Sequence, residues 1–214
     1  MGTTTIILVR HGETDWNKEK IFRGRIDVPL NEKGLMQARR TAAALREIPL
    51  KAVYSSPLAR AHATAEAIAE ARGLAVIKDE AFNDPSFGLW EGRPVAEVAR
   101  EYPEEFRNWQ EAPHLWQPPG GESLASVRER SWRRLLELSR EYAGETLAIV
   151  SHRVVLKLLI LSALGLDESK FWMIAQSPCA INVLACTGES FTVNRINETC
   201  HLESLAEAIF KGDH

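Results

Sequence analysis

A chain of 214 residues suits one domain, or one domain carrying a sizeable insertion. Its hydrophobic fraction of 45% and charged fraction of 26% are ordinary for a globular enzyme. A net charge of −3 excludes an overall basic balance suited to nucleic acid or a membrane surface, so any anion site must be a local cluster of cations.

In chain order, the apolar run from Ile6 to Val9 stops abruptly at Arg10-His11-Gly12. That is the pattern of a buried strand delivering chemistry to its C-terminal edge. Gly12, without a Cβ, allows a sharp turn and the close approach of a ligand. Thr14 to Leu30 reads as loop and holds Asn17, Arg23, Gly24 and Arg25. Asn31 to Arg46 is predicted helical, with Leu35, Ala38, Ala42 and Leu45 on one face. Lys51 to Ser55 is a short strand. Ser56 is the predicted cap of the next helix, with Pro57 at its first position. That helix buries Leu58, Ala61, Ala65 and Ile68 and ends at Gly73. Ala75 to Lys78 is another short strand.

Asp79 to Pro94 is irregular, Val95 to Ala112 forms short helices carrying Trp109, and Pro113 to Gly121 is a loop containing Trp116. A single domain over 1–214 is therefore expected, with a helical and loop insertion at about 84–121 acting as a cap. Glu122 to Tyr142 is an amphipathic helix, with Leu124, Val127, Leu135, Leu138 and Tyr142 in one stripe. Thr146 to Val150 is an apolar strand ending at Ser151-His152, and an apolar helix follows to Leu164. Ala180–Cys186 and Ser190–Ile196, joined by Thr187-Gly188-Glu189, carry a hairpin signal. A short helix over Leu202–Phe210 closes the chain. Strands alternating with helices imply an α/β fold. The expectation is a three-layer α/β/α sandwich with a mostly parallel central sheet and an antiparallel edge strand.

Cys179, Cys186 and Cys200 show no metal-type spacing and read as small buried hydrophobes. The start has neither a basic n-region nor a long apolar h-region, and the run from Val154 to Leu166 is too short to span a bilayer. A cytoplasmic protein with no membrane and no nucleic-acid partner is expected.

Three strand ends carry matching chemistry. The first ends in Arg10-His11, the second in Ser55-Ser56-Pro57 with Arg60 one turn later, and the late strand in Ser151-His152. His11 suits a nucleophile or proton carrier near neutral pH. Arg10 and Arg60 offer planar donor forks for phosphate or carboxylate, and helix N-termini add positive dipole ends. A leaving group also needs a proton donor. Asp84, held extended by Pro85, is the best candidate, with Glu91 and Glu80 as alternatives.

The segments LVRHGETDWN, SSPLARAHATA, FGLWEG, GGES and VSH together resemble the phosphoglycerate-mutase-like branch of the histidine phosphatase superfamily. Five motifs in order over Ile6 to His152 are specific where any one is not. The resemblance implies a parallel-rich α/β sandwich. It implies that His11 is the nucleophile and becomes phosphorylated, and that Arg10, Arg60 and His152 form the phosphate pocket with Asn17 lining it. Asp84 falls where the branch places its acid. The implied activity is hydrolysis of small phosphomonoesters through phosphohistidine, with no metal and no cofactor. The partner is a small phosphorylated metabolite, such as a sugar phosphate, α-ribazole phosphate or a phosphoglycerate. Oligomeric state stays open, a homodimer included.

Three departures stand out. Asp84 replaces the usual Glu, Arg153 follows His152 where the branch has Gly, and Arg23 precedes Gly24 where relatives carry an uncharged residue. Arg23 and Gly24 are candidate substrate contacts, Arg23 for a second anionic group. A cofactor-dependent phosphoglycerate mutase is the first rival. Mutases usually carry NERHYG and a paired-arginine insertion, whereas this chain reads NDPSFG and lacks the pair. A catalytically weak regulatory homologue is the second rival, resting on the Asp84 and Arg153 departures.

Overall fold

The structure, a computed structural model, describes residues 2–203. In chain order it contains β1 (Thr4–Arg10), α1 (Asp15–Lys18), α2 (Glu32–Leu45), β2 (Leu50–Ser55), α3 (Ala59–Glu70) and β3 (Val76–Lys78). Then come α4 (Val95–Glu101), α5 (Pro103–Glu111), α6 (Leu124–Glu141), β4 (Thr146–Ser151), α7 (Arg153–Ala163), β5 (Ile181–Thr187) and β6 (Ser190–Glu198).

Among the described residues the strands form one sheet in the order β3-β2-β4-β1-β5-β6. Strands β1 to β4 pair in parallel, β5 runs antiparallel to β1, and the edge strand β6 runs antiparallel to β5. Period-two alternation sends successive side chains to opposite faces. Ile7, Val9, Val53, Ala148 and Val150 pack beneath α2 and α3, against Leu45, Ala61, Ala65 and Ile68. Ile6, Leu8, Leu147 and Ile149 pack on the other face with Leu135 and Leu138 of α6 and the apolar length of α7. Both faces are covered, which is why β1 and β4 read as continuous apolar runs. The fold is the expected three-layer α/β sandwich.

Several local expectations are corrected. Asn31 caps α2 through a bond from Gly34 N, but Leu35 of the predicted apolar face is 44% exposed, and the glycine beside it is buried instead. α3 starts at Ala59 behind Leu58, so Ser56 is not its cap; the Ser56 hydroxyl is engaged by Asn83 and His152. Cys179 and Cys186 are buried as expected, whereas Cys200 is exposed. Of the helix expected over Leu202–Phe210, Leu202 ends a short 3-10 turn, and residues 204–210 lie outside the described residues. No helix among the described residues is long and apolar enough to cross a membrane.

Residues 84–121 gather on an aromatic cluster. Trp109 and Trp116 lie 4.4 Å apart between centroids; Phe87 and Trp90 contact Trp116, and Phe22 contacts Phe87 and Trp90. The Trp172 indole donates to the Trp109 carbonyl at 2.7 Å and so ties this segment to the turn after α7. Trp116 is 1% exposed. Trp116→Ala is expected to cost about 3–5 kcal/mol of folding stability, the range for truncating a buried indole. Denaturant unfolding checks this, and a loss below about 1 kcal/mol would mean that the cluster does not hold the segment.

Candidate active site

The site follows from strand register. β1 and β4 are parallel neighbours with Arg10 paired to Ser151, so the next residues, His11 and His152, leave the sheet side by side. Their ring centroids lie 5.2 Å apart. On the other edge of β4, Ser55 pairs with Val150, which brings Ser56 to His152. Gly12 has a different reason from the expected ligand approach: a Cβ there would sit 2.6 Å from the Gly34 carbonyl oxygen, so its absence lets α2 close on the strand end.

The His11 ring is 1% exposed, and its Nδ1 lies 2.7 Å from the Gly12 carbonyl oxygen. A carbonyl can only accept, so Nδ1 carries the proton and Nε2 keeps a lone pair. Burial, reinforced by Arg60, His152, Arg10 and Arg23, holds the His11 pKa well below its ordinary value. The ring is therefore neutral near pH 7. His152 Nε2 lies 2.8 Å from Ser56 Oγ, which itself donates to Asn83 Oδ1 at 2.7 Å. The Ser56 proton is thereby used, so His152 Nε2 is the donor in the first bond. Burial, Arg60, Arg23 and Arg10 also push the His152 pKa well down.

Arg10 donates to the Gln176 carbonyl at 2.6 Å. Burial, then Arg153 and Arg23, lowers its pKa to about 9, which leaves it charged at neutral pH. Arg60 is fully buried in the first turn of α3. It donates to the Ile26 and Gly24 carbonyls at 2.9 and 2.8 Å and to Asp84 Oδ2 at 3.2 Å. Gly24 thus meets Arg60 through its carbonyl. It adopts φ +53°, and a Cβ would lie 2.2 Å from Glu91 Oε1, so glycine is required there. Arg23 donates to Thr14 Oγ1 at 2.9 Å. Asn17 spends its amide oxygen on Thr14 N and Oγ1, which leaves its NH2 group for another partner.

Asp84 is buried, with Oδ2 3.7 Å from His152 Nδ1 as well as beside Arg60. Burial raises its pKa above the ordinary aspartate value, although Arg60, Arg23 and Arg153 oppose this. The two alternative carboxylates are placed elsewhere. Glu91 accepts from Phe87 N, Ser86 Oγ and Arg25 N, and Glu80 is exposed. Sequence reasoning missed the clamp behind Asp84. Glu122 Oε2 accepts from Ser86 N at 2.9 Å, while Arg130, paired with Glu122, donates to the Asn83 and Ala81 carbonyls. Glu122 lies within the GGES segment, but nothing local marks Arg130. Thr64 was missed as well; its hydroxyl takes the Gly12 N–H and donates to the Arg60 carbonyl.

Arg10 Nε, Arg60 Nε and His152 Nδ1 are buried without a hydrogen-bond partner. Buried polar atoms are rarely left so; two guanidinium N–H donors and an imidazole nitrogen that donates only once protonated are a set suited to an oxyanion. Among the described residues no group of three or more His, Cys, Asp or Glu side chains could hold a metal.

Fold and site together define an α/β protein with two buried histidines and a group of arginines at the carboxyl ends of parallel strands. The chain belongs to the histidine phosphatase superfamily (branch 1), whose pattern matches residues 6–199. Phosphoserine phosphatase 1 of Hydrogenobacter thermophilus is 40% identical over 197 residues, which cover 92% of this chain and 93% of the relative. The solved structure of Bacillus stearothermophilus YhfR superposes with TM-score 0.90 at 33% identity, covering 94% of this chain and all of that one. The phosphoserine phosphatase of Entamoeba histolytica, solved with 3-phosphoglyceric acid, superposes with TM-score 0.82 at 29% identity, covering 94% of this chain and all of the other.

Inorganic phosphate is expected to stabilise the fold by about 2.7 kcal/mol at a hundredfold excess over Kd. Arg60→Ala should lose most of that gain. Thermal melts across a phosphate series check this; an unchanged phosphate response in the variant would remove Arg60 from the oxyanion pocket.

Proposed function

We propose that this protein hydrolyses small phosphomonoesters through a phosphohistidine on His11, without a metal. The observation that carries the reading is a neutral, buried His11 with a free Nε2 lone pair beside Arg10, Arg60 and His152. Nε2 attacks phosphorus as the ester P–O bond breaks, and the Nδ1–H bond to the Gly12 carbonyl supports the positive charge that develops on the ring. Arg10 and Arg60 compensate the equatorial oxygens, the work a metal ion would otherwise do. His152, with its Nε2–H committed to Ser56, joins them by accepting at Nδ1 the proton of an ester that binds as the phosphate monoanion. Asp84, its pKa raised by burial, gives its proton to the leaving oxygen. The resulting carboxylate then takes a proton from water, which attacks phosphorus and releases phosphate and neutral His11. Asn17 would contribute its free NH2 to the same pocket. Relatives of nearly full coverage bear phosphatase names, and the missing paired-arginine insertion argues against the mutase rival.

The chain is best read as one domain, with residues 84–121 acting as a cap over the leaving-group side. Support comes from Phe87 of that segment, which shares a cavity with Asp84 and Arg23.

Wild-type protein is expected to turn over p-nitrophenyl phosphate in the presence of chelator. Rapid quench in alkaline detergent should give phosphate on the protein that later acid treatment releases, and His11→Ala should show neither turnover nor label. Substantial activity in that variant would remove His11 as nucleophile. Arg60→Ala should cost about 2–4 kcal/mol of transition-state stabilisation, with Arg60→Lys recovering part, because a point charge cannot replace a fork. Equal kcat/KM for Lys and Arg would reduce Arg60 to a source of field.

Asp84→Asn is expected to slow alkyl phosphates far more than p-nitrophenyl phosphate, whose phenolate leaves without a proton. The acid works below its pKa, so the wild-type rate on alkyl phosphates should fall as pH rises through the raised Asp84 value, and the Asn variant should lose this limb. A small, equal loss on both substrates would pass the role to another group.

A further inference from the structure

Beside the phosphate pocket lies a second set of cations that the mechanism does not use. Arg23, Asp84 and Arg153 line a narrow cavity of about 40 Å³, with Phe22 and Phe87 as apolar walls. Both arginines are half-buried, and neither ion-pairs with a carboxylate within 4.0 Å among the described residues. Arg23 bonds to Thr14 Oγ1, and Arg153, the first residue of α7, lies over the Trp172 ring at 5.8 Å. Lys157, one turn further along α7, holds its Nζ 4.3 Å from the same ring. Arg153 and Phe22 also line a larger cavity of about 390 Å³ with Phe106, Trp109, Gln110 and Trp172.

Two unpaired guanidiniums in a small, partly dry space oppose folding, because each disfavours the charge of the other. Burial lowers the Arg23 pKa to about 10, with Arg60 and Arg153 contributing, and burial lowers that of Lys157 to about 7, with Arg153 and Arg10 contributing. Four arginines, Arg10, Arg23, Arg60 and Arg153, surround Asp84. A phosphate dianion together with ionised Asp84 leaves one positive charge over, and protonated Asp84 leaves two. The excess sits on the Asp84 side, where a leaving group would lie.

Resting on the phosphatase reading, we propose that Arg23 and Arg153 bind a carboxylate on the leaving group, so that the substrates are phosphate esters of small hydroxy acids. A guanidinium fork matches a planar carboxylate. The cavity is small, and its two guanidiniums face Asp84, so a single planar anion on a short carbon chain suits it. The two residues that depart most from the branch pattern around the pocket are thereby assigned to specificity rather than to chemistry.

The test compares 3-phosphoglycerate with glycerol 3-phosphate, which differ by a carboxylate in place of a hydroxymethyl group, and with propane-1,3-diol bisphosphate. p-Nitrophenyl phosphate reports the underlying chemistry. Wild type should favour 3-phosphoglycerate over glycerol 3-phosphate by about tenfold or more in kcat/KM, the scale of one charged hydrogen-bonded contact. Arg23→Gln and Arg153→Gln should each reduce that ratio by a similar factor, mainly through KM, while Arg153→Lys keeps part of it. The bisphosphate should gain nothing over glycerol 3-phosphate. A ratio near one in wild type, or one unchanged in both Gln variants, overturns the proposal, as does a preference for the bisphosphate that the Gln variants abolish. If p-nitrophenyl phosphate turns over through His11 while the ratio is flat, the carboxylate assignment fails and the phosphatase reading stands. If it does not turn over at all, both fall. Should a Gln variant not fold, Arg153→Lys and the remaining Gln variant decide on the same ratio.

Discussion

Arg10 opposite Ser151 is the pairing on which the site depends. Parallel strands β1 and β4 end at the same level, so the residue after each pair member leaves the sheet at the same point and both are histidines. A slip of one residue would turn every side chain of β1 to the other face and part the two rings. The slip is opposed by Ile6 and Leu8 on one side and Ile7 and Val9 on the other, all packed in the two cores. The precision of the chemistry is thus set by ordinary apolar packing several residues away.

Around that point the protein concentrates positive charge where water is scarce. Burial makes charge on either imidazole costly, and the arginines add to this, so His11 stays neutral and its lone pair stays available. The same burial works in the opposite direction on Asp84, keeping a carboxyl group protonated more readily than in water. One environment therefore prepares both a base-like nitrogen and an acid. It is tolerated because the guanidiniums are tied to backbone carbonyls, at Gln176 for Arg10 and at Gly24 and Ile26 for Arg60. Asp84 is held in turn by the Glu122–Arg130 clamp on its neighbours Ser86 and Asn83.

Much of this was legible in the sequence because it is encoded locally. The strands that end at His11 and His152 show as apolar runs, and the Asn31 cap and the α6 stripe follow from short spacings. The nearness of the strand ends followed from the α/β pattern, and Asp84 was marked by Pro85 and by the likeness to a known branch. What escaped has long-range causes. Gly12 is glycine because of the α2 backbone at Gly34, Ser56 serves His152 rather than α3, and Arg130 reaches Asn83 across 47 positions. Leu35 shows the limit of periodicity, since the close approach at Gly34 buries that glycine instead, while Ala38, Ala42 and Leu45 of the expected stripe are buried. None of these partners is marked by spacing, because each depends on how the layers meet.

The fold presents His11 as a neutral imidazole protonated at Nδ1, and the proposed chemistry depends on that state. Nitrogen-15 NMR of the histidine side chains over a pH series measures this directly, with His11→Ala supplying the assignment. The expected result is an Nδ1–H tautomer that stays neutral as pH falls well below the ordinary histidine value of 6.5. An His11 that titrates near that value, or that carries its proton on Nε2, would contradict the account.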